Sequence, residues 1–422
     1  MINHEQYDPE GQAKGNFHRF SRFRGAFRRL IGAFLSTASA AVTLLCCTVL
    51  VSTALQIGAT ASQNAKPEVR RTYPLTKFYD TPSPLPRGKA GELIRKEQFD
   101  EYDLSSSVLA TRILYHSRSA AGGDVATSGV VLYPDGTAPA GGWPLIAWAH
   151  DLNGVARQCA PSLSRNLEHG PFLSMYVNLG YAVVATDYTG LGTTFRNAFS
   201  DMQSNAADIV YSVAAARTAV PQLGSHWLAV GATDGGLAVM GVAEMQYDLK
   251  DPNYLGGILI TGLSDLEDRY QSPDLAALLF LAYGIKTLYP QFDPKDILQD
   301  KAQALLPAAE HACAGAEINL AVSDVTKPNW RSNRFVQEYF GRNRAGQKPA
   351  YGPLLAISDA DANGRAAQVI GRMCKQGDVV QFEKFAASDS SSVIGESVTD
   401  QIAWIRGRFA GSPAPHNCSQ TR

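Results

Sequence analysis

The chain predicts an α/β fold: a mostly parallel sheet with helices on both faces and an inserted helical cap. Three observations carry that expectation. Short apolar runs without polar alternation, such as residues 144–150 (PLIAWAH) and 181–187 (YAVVATD), read as strands buried on both faces. Segments with apolar residues at helical spacing follow them in turn, and such alternation favours a parallel sheet covered on both sides. The alternation fails once, between residues 265 and 349, where no strand pattern is visible.

The elements follow in order. Residues 109–115 and 129–133 read as two strands joined by the Gly-rich turn Ala121-Gly122-Gly123-Asp124. Residues 144–150 form the third strand, and 172–179 a helix ended by Gly180. Residues 181–187 form a strand, and 202–220 a helix with Ile209, Val210, Val213 and Ala216 at helical spacing. The strand Trp227-Leu228-Ala229-Val230 precedes a Gly-rich turn and a helix over 237–247. Residues 257–260, 353–358 and 379–385 add strands, and 363–375 and 394–409 add helices, for about eight strands in all. The core is therefore expected at 96–264 and 350–418, with 265–349 as the cap. The run Leu275-Ala276-Ala277-Leu278-Leu279-Phe280-Leu281-Ala282-Tyr283 is too apolar for open surface. It packs on the sheet or lines a ligand cavity.

The start of the chain is different. Residues 1–30 form an arm with Lys14, Arg19, Arg22, Arg24, Arg28 and Arg29, and residues 30–65 carry no charge. A basic start, an apolar centre and Ala59-Thr60-Ala61 read as a secretory signal over 31–61. The apolar stretch 31–57 is also long enough for a signal anchor. Either way the expectation is export, secreted or anchored by residues 31–57. Residues 62–95, polar and Pro-rich, read as a linker and lead-in.

Composition narrows the function. Of 422 residues, 45% are hydrophobic, enough for a sizeable core, and the formal net charge is −1. That balance argues against a nucleic-acid partner, whose phosphates call for a basic face. No metal-ligand cluster, phosphate loop or dinucleotide fingerprint occurs, so no cofactor is implied. Cys46 and Cys47 fall in the apolar segment, which leaves Cys159, Cys313, Cys374 and Cys418. In an oxidising compartment four cysteines are expected to form two disulfides, by any of three pairings.

The chemistry centres on Gly231-Ala232-Thr233-Asp234-Gly235-Gly236. Strand, Gly-rich turn and helix are the setting of the nucleophile elbow G-x-S-x-G of α/β-hydrolases. Glycines suit it because the turn is tight and its neighbours approach closely. The nucleophile position is Thr233, whose β-branch restricts χ1 and crowds the turn. Asp234 follows it, and its N–H belongs to the expected oxyanion site together with the loop at His150 and Asp151. A carboxylate at Asp151 orients a donor there, repels the developing negative charge, or is simply a solvated loop residue.

Other stretches make the comparison more specific: Phe78-Tyr79 through Gly91 with Leu93-Ile94-Arg95, His150, Gly154 and Cys159-Ala160-Pro161-Ser162, and residues 180–188 with Gly190-Leu191-Gly192. Arg408-Phe409-Ala410-Gly411, then Pro413-Ala414-Pro415 and Cys418, close the series. In order and spacing these resemble the secretory lipases of the α/β-hydrolase superfamily. The resemblance implies export, a helical lid, an acyl ester or lipid as ligand, and a Ser/Asp/His triad. It also implies the pairs Cys159–Cys313 and Cys374–Cys418. Thr233 stands where such lipases have Ser. The acid falls after strand 353–358, at Asp361 first and Asp359 second. Ser390 stands where they have His, and a hydroxyl cannot accept the nucleophile's proton as an imidazole does. Each of the eight histidines reads more readily as an ordinary surface or hydrogen-bonded residue than as a relocated base. Three readings follow: an esterase using Thr233 with another base, a catalytically silent domain holding a lipid or acyl ligand, or an interaction module, attached to the membrane if the segment 31–57 is retained.

Overall fold

The computed structural model describes residues 72–270, 275–314, 320–359, 364–386 and 390–418. The basic arm, the segment 31–61, the first part of the linker (62–71) and Asp361 lie outside the described residues. Among those described, no helix is long and apolar enough to cross a membrane.

Nine strands form one sheet in the order β1-β2-β3-β5-β4-β6-β7-β8-β9. They are β1 Leu93–Gln98, β2 Val108–Arg118, β3 Asp124–Pro134, β4 Trp143–Ala149, β5 Ala182–Thr186, β6 Leu223–Ala232, β7 Tyr254–Ile260, β8 Leu354–Ser358 and β9 Val380–Lys384. From β5 to β9 every neighbour is parallel. The β1, β2 and β3 end is antiparallel, and β3 meets β5 antiparallel.

Helices cover both faces because the central strands alternate two apolar sets. On β4, Leu145, Ala147 and Ala149 join one core, with Met202, Ile209 and Val213 of α2 (Met202–Ala219) and Leu237 to Val242 of α3 (Asp234–Leu249). Ile146 and Trp148 point the other way, into a core with Leu173, Tyr176 and Val177 of α1 (Gly170–Asn178) and with Trp404 and Ile405. A period of two with both faces apolar is the pattern of a covered parallel sheet.

Four elements depart from expectation. β1 lies partly in the stretch read as lead-in, so the sheet has nine strands rather than about eight. Its charged residues mask an edge strand paired only with β2. The helix expected over 394–409 is two, Ser390–Glu396 and Val398–Phe409. The Ser397 hydroxyl bonds back to the Val393 carbonyl at 2.6 Å and accepts from Gln401 at 2.7 Å, so local side-chain bonding marks the break. The β2 and β3 strands run well past the expected ends.

Between β7 and β8 the described residues contain only helices and loops. These include Leu266–Arg269, Leu275–Leu288, Asp300–Gln303, Leu306–Ala309 and α8, which we use for Arg334–Arg342. They gather a separate core in which Leu278, Phe280 and Leu281 pack with Phe292, Trp330, Val336 and Phe340. The apolar run 275–283 is thus the centre of the cap's own core, which also reaches Val155 and Phe199. The cap is tied to the sheet domain by the disulfide Cys159–Cys313 and by the Ala314 N–H on the Asn153 carbonyl at 2.9 Å. A second disulfide, Cys374–Cys418, holds the C-terminal tail. There the Asn417 amide both accepts from and donates to the Phe382 backbone, at 2.8 Å each, closing the exposed edge of β9.

Candidate active site

The parallel strands end in register, and the candidate residues leave from that edge. Ala149 pairs with Gly231, Ala232 with Ile260, Ile260 with Ile357, and Ser358 with Lys384. Asp151 therefore follows β4, Thr233 follows β6, and Asp359 follows β8. Ser390 opens a helix shortly after β9. Asp359 lies beside the Ser358 hydroxyl at 3.3 Å.

Thr233 sits between β6 and α3 with φ 52° and ψ −115°. A β-branched residue rarely holds positive φ, and such a conformation costs on the order of 1–3 kcal/mol. The surrounding glycines make the turn buildable: a Cβ on Gly235 would collide with the Ala149 carbonyl oxygen. The Thr233 N–H is held by the Ile260 carbonyl at 2.8 Å.

The Thr233 hydroxyl is buried and has no hydrogen-bond partner, although the residue is partly exposed. What Thr233 shows to solvent is therefore not its nucleophilic atom. No imidazole among the described residues reaches it. His150 follows β4, the strand paired with β6; it is 2% exposed and stacked on Tyr188 with ring centroids 4.0 Å apart. Burial pushes its pKa down to about 4, so it is neutral near pH 7. Its Nδ1 lies 2.6 Å from the Asp151 carbonyl, which a neutral ring satisfies by donating. Its Nε2 is buried without a hydrogen bond, as is the Thr233 hydroxyl, so the two do not bond each other.

The oxyanion donors have an unusual neighbour. One Asp151 carboxylate oxygen accepts the Leu152 N–H at 2.7 Å and faces the Asp234 N–H at 3.5 Å, the long end of a hydrogen bond. The Asp234 N–H follows the elbow position, and Leu152 lies in the loop after β4, where the oxyanion donors of α/β-hydrolases are found.

Asp234 is itself a buried carboxyl. Its pKa is pushed up to about 6, first by burial; Arg269 opposes the shift and Asp151 adds to it. Arg269 pairs with it at 2.6 Å and also donates to the Gly262 carbonyl at 2.6 Å, while the Ser200 hydroxyl donates to it at 3.1 Å. Arg269 and Ser200 went unnoticed in the sequence. Neither falls in a motif, and their link to Asp234 exists only once distant segments meet. A carboxyl with raised folded pKa gives stability that is present below its unfolded value and lost as pH rises through about 6. Asp234→Asn should therefore shrink the loss of stability between pH 5 and pH 8 by on the order of 1 kcal/mol. Urea denaturation of both proteins at the two pH values checks this, and an unchanged difference would rule it out.

No protein-family model matches the chain, and no curated protein sequence matches it. Solved structures do resemble it. Candida antarctica lipase A in its closed state superposes with a TM-score of 0.70 at 16% identity, covering 82% of this chain and 89% of that one. The rice cell wall degrading esterase LipA from Xanthomonas oryzae gives 0.63 at 19% identity, covering 76% and 98%. A crystal structure described as a putative hydrolase from Legionella pneumophila gives 0.61 at 17%, covering 75% and 98%. With the sheet order, the strand-to-helix turn and the cap, the chain has the α/β-hydrolase fold of these structures.

Proposed function

We propose that this is an exported, lipase-like α/β-hydrolase domain that holds an acyl ester or lipid under its cap and hydrolyses it poorly or not at all. The observation that carries this reading is the Asp151 carboxylate turned toward the Leu152 and Asp234 N–H groups, beside a Thr233 hydroxyl that is buried and has no base among the described residues. Nucleophile, base and oxyanion site are each compromised, whereas the glycines, the covered sheet and the cap core persist. Two disulfides accord with export through the segment 31–61. Asp361, with Asp359 as second choice, is the acid position, and Ser390 the base position. The test is hydrolysis of a p-nitrophenyl acyl ester by the purified protein, beside binding of a fluorescent fatty acyl probe. Binding without turnover is expected. Substantial turnover that Thr233→Ala abolishes would overturn the proposal.

A further inference from the structure

A cavity of about 280 Å³ opens between α2 and α3, away from the elbow. One of its lining residues, Gly241, lies roughly 12 Å along α3 from Thr233. Its origin is local. At Gly241 the two helices touch: a Cβ there would stand 2.7 Å from Met202 Cγ and 3.0 Å from Ala206 Cβ. Beside that contact the small side chains of Ala206 and Ala207 leave the groove unfilled. The turn between β2 and β3 closes it on one side, with Arg342 and Lys348. The volume lies at the small end of ligand sites, the size of a polar head group.

The charges divide by element. Arg118 comes from the end of β2, Arg342 from the end of α8, and Lys348 from the loop after it. Both guanidinium groups are held in place. Arg118 donates to Asp124 and to the Ser117 carbonyl at 2.8 Å each. Arg342 forks onto Asp201 at 2.6 and 3.2 Å and donates to the Ala120 carbonyl at 2.9 Å. On α3, Glu244 and Asp248 stand one turn apart on the same face of the helix. Glu244 accepts the Lys348 N–H at 3.5 Å, and its burial pushes its pKa up to about 7, so a bound cation would favour its charged form; Asp248 is exposed. A simple anion would meet the α3 carboxylates, and a simple cation the arginines. A ligand bearing both signs finds a partner for each.

We propose that this cavity binds a zwitterion of the phosphate–ammonium type, its ammonium toward Glu244 and Asp248 and its phosphate toward Arg118, Arg342 and Lys348. With Arg118 and Arg342 already bonded to Asp124 and Asp201, the donors outside those bonds are the Arg118 Nε, the Arg342 Nη1 and the Lys348 ammonium, a set that suits a phosphate with its three oxygens. A sphere of this volume is about 8 Å across. That favours charges separated by a short linker over an α-amino acid, whose charges share one carbon. The same chemistry occurs in free phosphocholine and in a lipid head group. The proposal is independent of any activity at the elbow.

The test is calorimetry of the purified protein with phosphocholine, choline and glycerol phosphate. Phosphocholine is expected to bind at least ~10-fold more tightly than either half. Asp248→Lys and Lys348→Glu change exposed residues, so both variants should fold, and each should weaken phosphocholine by ~10-fold or more. Cosedimentation with phosphatidylcholine vesicles, lost in Asp248→Lys, would assign the site to a lipid head group. Binding of phosphocholine without vesicle binding would assign it to the free solute. Absence of phosphocholine binding, equal binding of choline alone, or full binding by both variants would overturn the proposal.

Discussion

The variant Thr233→Ser/Asp151→Gly/Ser390→His is expected to hydrolyse a short acyl ester at least ~100-fold faster than the unaltered protein, while each single change gains less than ~10-fold. Serine removes the β-branch at the strained turn, so its hydroxyl is free to adopt the outward rotamer that Thr233 does not present. Without a base that hydroxyl stays protonated, which is why Thr233→Ser alone should do little. Without a nucleophile, Asp151→Gly only clears an unused site. One oxyanion donor is worth roughly 10²–10³ in rate where the rest of the machinery exists, so its recovery appears only in combination. Measured kcat/KM for the eight combinations of these changes would display the dependence. Independent multiplicative gains would refute the shared cause. A triple variant as slow as the parent, yet folded, would mean that the acid position does not reach residue 390.

Removing the disulfide between cap and core, by Cys159→Ser/Cys313→Ser, should cost roughly 3–5 kcal/mol of stability. The bridge closes a loop of 154 residues, for which the chain-entropy argument gives about 5 kcal/mol as an upper figure. The Cys374–Cys418 bridge spans 44 residues, and the same argument gives about 4 kcal/mol. A second consequence separates them. Cys313 also forms a bridge with Gly154, and Ala314 bonds Asn153, so the first bridge secures the loop that carries Asp151. Its loss should speed proteolysis within the cap before global unfolding. Loss of the second should expose the β9 edge and leave the cap resistant. Urea denaturation and limited proteolysis of both double variants decide the matter; equal cap cleavage in the two would sink the distinction.

Much of the fold was legible along the chain because its causes are local. Residues 144–150 and 181–187 are apolar on both faces, and only burial between helix layers accommodates that. The elbow was legible for a similar reason. A tight strand-to-helix turn demands glycines at set offsets from Thr233, and Gly231, Gly235 and Gly236 meet the demand. Edge strand β1 was not, since charged Arg95, Lys96 and Glu97 obscure a pattern that pairing with β2 rescues. Nor was the break at Ser397, which depends on where one hydroxyl points.

By itself the sequence determined the α/β architecture, the cap as an interruption and the strand-to-helix turn at Thr233. These rest on residue type and spacing, which act over a few positions. Only the tertiary structure decided where the Thr233 hydroxyl points, what Asp151 faces, and that Arg269 holds Asp234. Asp151 and Asp234 are 83 positions apart, and Arg269 comes from the far side of β7. Hydrogen bonds and ion pairs depend on distance and direction within a few tenths of an ångström, and for such distant residues those are set only when the strands come into register.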